Sequence, residues 1–203
     1  LIARSTTGRG QVIDVAMVDG AAALTNMIYG LHAQGVWRDQ RQANLLDGGA
    51  PFYDTYECKD GKFVSVGALE PQFFAVLLEV LQLDFDQYDQ SMWPAMRAAF
   101  TEAFLTKTRD EWSTIFEDQD ACVYPVLSLA EAPQHRHMRA REVFEPFHSG
   151  YQPRSAPVFS ETPLQPIGDE SQPGADTTEI LQRFGIASHV IDQLLDDGVV
   201  CQA

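Results

Sequence analysis

Residues 44–74, NLLDGGAPFYDTYECKDGKFVSVGALEPQFF, contain the signals from which the fold of this chain is predicted. Two runs rich in β-branched and aromatic residues, 53–58 and 62–67, flank the dipeptide Asp-Gly at 60–61, which is typical of a hairpin turn. Pro71 follows the second run and suits the first position of a helix, where a backbone N–H is not needed. The stretch therefore predicts a β-hairpin that leads into a helix.

Downstream of this stretch the sequence predicts further helices packed on the hairpin. After the first helix, in which apolar residues recur on one face, helices are predicted at about 91–105 and 109–117. Thr108 and Glu111 have the spacing of a capping box, which places a helix start at this point. The sequence thus predicts an α+β module over residues 52–142.

The segments on either side of this module look like parts of another domain. Residues 11–18 are predicted to form a short strand that runs into a helix over 17–34. The proline-rich stretch 143–175 is predicted to be an extended connector, and Ser188 is predicted to cap the last helix. Because the first strand has no sheet of its own, we expect both segments to complete one domain whose other strands lie upstream of Leu1.

Composition and charge exclude several classes of function. Acidic residues outnumber basic ones 29 to 14 among 203 residues, and the formal charge of −15 argues against nucleic acid or an anionic membrane as a partner. The cysteines Cys58, Cys122 and Cys201 form no CxxC pair, so we expect reduced thiols. The most apolar stretch, 12–31, contains acidic residues and is predicted to be buried rather than membrane-spanning.

A few residues are candidates for chemistry, although GxGxxG, P-loop, GxSxG and HExxH motifs are all absent from the sequence. Glu70 lies between a strand and a helix start, where its carboxylate would meet unpaired backbone N–H groups; an ordinary stabilising residue is the alternative. Gly48 and Gly49 would let a ligand approach the backbone, or belong to a plain loop. His135 and His137 are expected to be surface residues rather than metal ligands.

Four blocks together resemble a known family. They are TGRGQVIDVAMVDG (7–20), the stretch 44–74, TKTRDEWSTIFEDQDACVYPVLSLAEA (106–132) and TTEILQRFG (177–185). The chain resembles family III CoA-transferases (the CaiB/BaiF superfamily), and GGAPFYDTY and VGALEPQF are more typical of the α-methylacyl-CoA racemase branch than of the transferase branch. The resemblance runs over nearly the whole chain but matches only the C-terminal half of a family member.

The resemblance implies an α/β fold with an α+β small domain. Family members have a large domain with a Rossmann-like sheet and a small domain joined to it by two linkers, and two subunits interlock into a homodimer. The implied division of this chain is the end of the first half of the large domain with a linker helix (1–35), a linker loop (36–51), the small domain (52–142), a return linker (143–175) and C-terminal helices of the large domain (176–203).

The resemblance also implies a reaction, the interconversion of (2R)- and (2S)-2-methylacyl-CoA thioesters by α-proton exchange through an enolate. The family's catalytic His and Asp would lie upstream of Leu1. Glu70 matches the small-domain glutamate of the racemases and is expected to orient that histidine. Substrate binding is expected of Gly48, Gly49, Tyr53 and Leu69. No metal or separate cofactor is expected, because coenzyme A enters as part of the substrate.

Alternatives remain open at this point. The transferase branch would instead form a covalent acyl-aspartyl intermediate, and a truncated, non-catalytic dimerisation module is a third reading. The chain begins at Leu1 without Met, so we expect a fragment or processed piece that is inactive alone. The C-terminal Cys201-Gln202-Ala203 is not a peroxisomal signal, which favours a cytoplasmic protein.

Overall fold

The computed structural model describes residues 1–164, 168 and 171–203. The chain divides into two compact units, Leu1–Leu127 and Ser128–Ala203. Helices are combined with a three-stranded and a two-stranded sheet, which confirms the predicted mixed class of helices and strands. The five-part division inferred from the resemblance remains a prediction.

The predicted hairpin forms the sheet of the first unit. Strands β1 (Tyr53–Glu57) and β2 (Phe63–Gly67) pair antiparallel, with Tyr53 opposite Gly67. Gly61 adopts a φ of 72°, which explains the glycine in the turn. A third strand, β3 (Val123–Pro125), pairs antiparallel with β2 and was not predicted, because three residues are too few to show an alternation.

Helices cover this sheet and enclose an aromatic core. They are α4 (Pro71–Leu81), α5 (Trp93–Phe104), which follows a 3₁₀ turn at Gln90–Met92, and α6 (Arg109–Phe116). The predicted capping box is confirmed, since Thr108 and Glu111 satisfy each other's backbone N–H groups. Tyr56 stacks on Phe104 with ring centroids 5.3 Å apart. The sequence prediction of the module is therefore right for its main elements.

The N-terminal part of the first unit lies outside this core. It contains α1 (Ile2–Thr7), α2 (Met17–Leu24) and α3 (Asn26–Ala33), none of whose side chains is buried. The helix predicted over 17–34 is thus confirmed with an interruption at Thr25. The strand predicted at 11–18 is wrong, because a strand needs a neighbour and the described part of the chain offers none to residues 11–16.

The second unit contains short elements. They are a 3₁₀ turn at Ala132–Gln134, α7 (Arg136–Ala140), β4 (Phe144–Phe147), β5 (Gly150–Pro153), α8 (Thr177–Arg183) and α9 (Ser188–Asp196). The antiparallel pair β4–β5 corrects the prediction that the proline-rich stretch is extended from its start. Residues 165–167 and 169–170 of that stretch lie outside the described residues. Ser188 does not cap α9, since Ala187 occupies the N-cap position and the hydroxyl makes no capping bond.

Two further expectations concern the membrane and the thiols. No helix within the described residues is both long and apolar enough to cross a bilayer.

Cys58, Cys122 and Cys201 are free thiols, and Cys58 is buried in the core. Burial, together with the charge of Asp60, raises the pKa of Cys58 to about 11, so this thiol stays protonated at neutral pH.

Candidate functional site

Glu70 is the N-cap residue of α4. Its backbone is extended, with φ −79° and ψ 140°, and its carbonyl oxygen accepts from the N–H groups of Phe73 and Phe74, both at 3.0 Å. The side chain is exposed and makes no capping hydrogen bond, so the expectation that the carboxylate meets the unpaired N–H groups of the helix is wrong. Glutamate is a poor N-cap because the preferred caps, Ser, Thr, Asp and Asn, place their oxygen closer to these groups. The helix start therefore holds the backbone of Glu70 and leaves its carboxylate directed to the exterior.

The backbone just before Glu70 is held by a buried glutamine that sequence reasoning missed. Nε2 of Gln87 donates to the carbonyl oxygen of Ala68 at 3.2 Å and to that of Leu69 at 2.9 Å. Gln87 is only 6% exposed, and its Oε1 has no hydrogen-bond partner among the described residues. A buried acceptor without a partner costs about 1–3 kcal/mol. Gln87 lies between helices, where no sequence pattern marks it.

The glycine pair belongs to a tightly packed loop. Gly48 has a φ of +83°, and a Cβ on Gly49 would lie 2.5 Å from the backbone oxygen of Asn44, so both positions require glycine. The N–H of Gly49 donates to Oδ1 of Asp47 at 3.1 Å. Nη2 of Arg97 donates to the carbonyl oxygens of Gly48 at 2.7 Å and Gly49 at 3.2 Å. The loop is thus held by hydrogen bonds between its own residues and by Arg97 of α5.

Specific contacts hold two acidic residues of this region, Asp54 and Asp47. Arg97 forms an ion pair with Asp54 of β1, which ties the loop, the sheet and α5 together. Burial acts to raise the pKa of Asp47, but hydrogen bonds from Asn44, Ala43 and Gly49 outweigh burial, and the pKa is lowered. Asp47 is therefore an ionised structural group at neutral pH.

The predicted substrate residues lie on three concave surfaces of the first unit. Gly48 and Gly49 line a cavity of about 700 Å³ with Arg38, Arg97 and Trp93. A second cavity, of about 390 Å³, is lined by Leu69, Phe52 and Gln87. The two cavities adjoin, because Arg38, Ala43, Gln90 and Trp93 line both.

Tyr53 lies apart from these cavities. It lines a hollow of about 410 Å³ on the face of the β1–β2–β3 sheet, together with Gly67, Cys122 and Tyr124. The pKa of Cys122 is raised by burial and then by the charges of Asp120 and Glu70, so the Glu70 carboxylate lies within electrostatic range of this hollow. Leu69 and the glycine pair thus line adjoining cavities, Tyr53 lines a separate hollow and Glu70 lines none of the three, so the structure does not bring all five residues together.

Metal binding has no geometric support in the part of the chain that the structure describes. No group of three or more His, Cys, Asp and Glu residues there could hold a metal ion. What the arrangement offers is an exposed carboxylate on a braced backbone, next to apolar and polar concave surfaces. A carboxylate can take part in proton transfer, orient a base or act as a nucleophile.

Comparisons with known proteins identify relatives of this chain. The chain is 43% identical to α-methylacyl-CoA racemase of Mus musculus and 41% identical to that of Homo sapiens, each over 98% of this chain and 54% of the relative. The chain therefore spans about half the length of the curated relatives it matches. A solved structure, the hypothetical protein Rv3272 of Mycobacterium tuberculosis, shares the fold with a TM-score of 0.60 at 15% identity, over 80% of this chain and 44% of that one.

The family assignment rests on a match that covers most of the chain. The model of CoA-transferase family III matches residues 1–177, which include the glycine loop, the hairpin and Glu70. This confirms the resemblance found in the sequence blocks. The chain belongs to CoA-transferase family III.

Proposed function

We propose that this chain supplies the C-terminal half of a racemase that interconverts (2R)- and (2S)-2-methylacyl-CoA thioesters. The observation that carries the proposal is the 43% and 41% identity to two α-methylacyl-CoA racemases along 98% of the chain. The exposed carboxylate of Glu70 at the start of α4 supports it, because the block around Glu70 resembles the racemases at their small-domain glutamate. The 203 residues alone are expected to be inactive.

The chemistry requires more groups than this chain provides. The α-proton of a thioester is weakly acidic, so its removal needs a positioned base and stabilisation of the enolate. Racemisation further needs two acid–base groups on opposite faces of the α-carbon, which we assign to the other half of the protein. Glu70 would accept a hydrogen bond from the imidazole, fix its tautomer and stabilise the imidazolium.

The substrate residues are assigned to the same reaction. Leu69 would contact the acyl chain, since its cavity is lined by Phe52 and Trp93. Gly48 and Gly49 would border the substrate through the adjoining cavity, and Tyr53 would contact it from the sheet face. Because N–H of Gly49 is already donated to Asp47, the thioester oxygen would need a different donor. Coenzyme A enters only as part of the substrate.

The setting of the reaction is proposed from the family and the charge. We expect an interlocked homodimer in which each active site combines the large domain of one subunit with the small domain of the other. A formal charge of −15 favours neither nucleic acid nor an anionic membrane as partner. We place the protein in the cytoplasm.

Proton exchange in D₂O tests the proposal directly. In a hybrid, residues 1–203 replace the matching part of the mouse racemase, and a single enantiomer of 2-methylacyl-CoA is supplied. We expect NMR to show deuterium at the α-carbon, together with loss of stereochemical purity of the substrate. A cooperatively folded hybrid that leaves the α-position unchanged would contradict the proposal.

A transferase is the second candidate, because the matching family is named for CoA transfer. This reading predicts an acyl-enzyme intermediate and ping-pong kinetics when a carboxylate acceptor is added. Transfer of CoA to the acceptor without deuterium at the α-carbon would favour it over racemisation.

A further inference from the structure

A buried amide fixes the two residues that precede Glu70. Both carbonyl oxygens of this short segment, those of Ala68 and Leu69, accept from the same nitrogen, Nε2 of Gln87, at 3.2 and 2.9 Å. Ala68 is fully buried, Leu69 is half-buried and Glu70 is the first exposed residue of the segment. The backbone that carries the carboxylate is therefore anchored one residue away from it.

Gln87 is itself held by the core. Its carbonyl oxygen accepts from Nε1 of Trp93 at 3.1 Å. The ring of Trp93 meets that of Phe52 edge-on, with centroids 5.7 Å apart, and the carbonyl oxygen of Phe52 accepts from the N–H of Ala68 at 3.0 Å. These contacts close a ring from Ala68 through Gln87, Trp93 and Phe52 back to Ala68.

The Gln87 amide makes two hydrogen bonds and leaves one acceptor unpaired within the described part of the chain. Oε1 of Gln87 is buried without a partner among the described residues, which opposes folding. A methionine of similar size would remove that unsatisfied oxygen but would also leave two carbonyl oxygens without their donor. Because two carbonyl oxygens lose their donor and only one unpaired acceptor is removed, we expect Gln87→Met to lower the free energy of unfolding, and kcat is therefore compared at a temperature at which the variant is fully folded.

We propose that Gln87 is a positioning residue, whose amide fixes the backbone of Ala68 and Leu69 and thereby the placement of the Glu70 carboxylate. The proposal deepens the proposed racemase function and rests on it. A displacement of a reacting group by about 1 Å can lower a rate by up to about 10²-fold. A mobile segment before Glu70 would therefore lower turnover while the carboxylate itself remains present.

The first test is Gln87→Met in the hybrid enzyme, with Gln119→Met, an exposed residue, as the matched control. We expect kcat for α-proton exchange to fall by at least about tenfold, with KM changed less than twofold. Gln119→Met should match the parent hybrid. Gln87→Leu, which removes the amide and has no polar atom in its side chain, is the second variant and should show the same loss. Parent-like kcat in both Gln87 variants would overturn the proposal.

A double-mutant cycle separates positioning from a general structural effect. If Gln87 acts through Glu70, Gln87→Met should cause no further loss of kcat in the Glu70→Gln background. Both single variants should also shift the pH profile of kcat/KM in the same direction, because each weakens the same carboxylate–imidazole contact. Equal losses in the two backgrounds would mean that Gln87 acts independently of Glu70 and would overturn the proposal.

A measurement without turnover keeps this inference distinct from the proposed function. Amide hydrogen exchange at Ala68 should accelerate at least about tenfold in Gln87→Met relative to the core of the same protein. An unchanged amide exchange rate at Ala68 would overturn the proposed role of Gln87, regardless of the measured turnover. A folded parent hybrid with no α-proton exchange contradicts the racemase function itself, and faster exchange at Ala68 would then still support the brace.

Discussion

The backbone oxygen of Asn44 lies where a side chain on Gly49 would begin, 2.5 Å from the position of its Cβ. Asn44 cannot easily move away, because its Oδ1 accepts from the N–H of Arg38 at 2.7 Å and its N–H donates to Asp47 at 2.9 Å. The glycine loop is therefore a packed structure whose shape depends on a close approach of two backbone segments.

We expect Gly49→Ala to lower the free energy of unfolding by about 1–3 kcal/mol, because the added methyl group overlaps a fixed backbone. Urea unfolding followed by tryptophan fluorescence measures the change. Gly30→Ala is the control, since Gly30 lies in α3 with no atom within 4 Å of the new Cβ, and it should be neutral or stabilising by up to about 1 kcal/mol. Equal effects of both substitutions would contradict the packing argument.

Asp47 should make stability depend on pH. Its pKa is lowered in the folded chain, as hydrogen bonds from Asn44, Ala43 and Gly49 outweigh the opposing effect of burial. Its contribution is therefore fully present above the unfolded pKa of about 3.9 and is lost as pH falls through the lower folded value.

Asp47→Asn tests this dependence in urea unfolding measured at several pH values. The variant should be less stable than the parent at pH 7, and the difference should shrink as pH falls below about 4. Asp118→Asn, on an exposed residue, is the control. A difference that stays constant from pH 7 to pH 3 would rule out the ionised carboxylate as its source.

Glu70→Gln separates catalysis from stability. In the hybrid enzyme we expect α-proton exchange to slow by about 10²-fold or more, the usual size of an acid–base contribution. The free energy of unfolding should change by less than about 0.5 kcal/mol, because the side chain is exposed and makes no capping bond. Glu79→Gln, exposed on the same helix, should alter neither. An unchanged rate of α-proton exchange would mean that Glu70 has no role in the reaction.

Tyr56→Phe should destabilise the core. The hydroxyl donates to the carbonyl oxygen of Pro51 at 2.5 Å, and burial raises the pKa of Tyr56 against the lowering effect of Arg97. Phenylalanine leaves that carbonyl oxygen unpaired, at a cost of about 1–3 kcal/mol in a urea melt. Tyr53→Phe, on the exposed side of the same strand, should cost less than about 0.5 kcal/mol. Similar melts for the two variants would contradict the role of the buried hydroxyl.

Local signals in the sequence predicted the elements that depend on neighbouring residues. The turn at 60–61, Pro71 at the start of α4, and the Thr108–Glu111 capping box are each decided within a few residues, and the structure contains all three. The strand expected at 11–18 failed, because strand formation depends on a partner elsewhere in the chain.

By itself, the sequence determined the hairpin, the helix starts and the family, because these depend on short-range backbone preferences and on blocks of residue identity. Tertiary structure alone decided how the site is held. Gln87 reaches Leu69 across 18 positions of the chain, and Arg97 reaches Gly48 across 49. Hydrogen bonds of this kind depend on where the folded backbone places a donor. The periodicity and spacing of residues in the sequence do not predict that position. The brace behind Glu70 is therefore visible only in the folded chain.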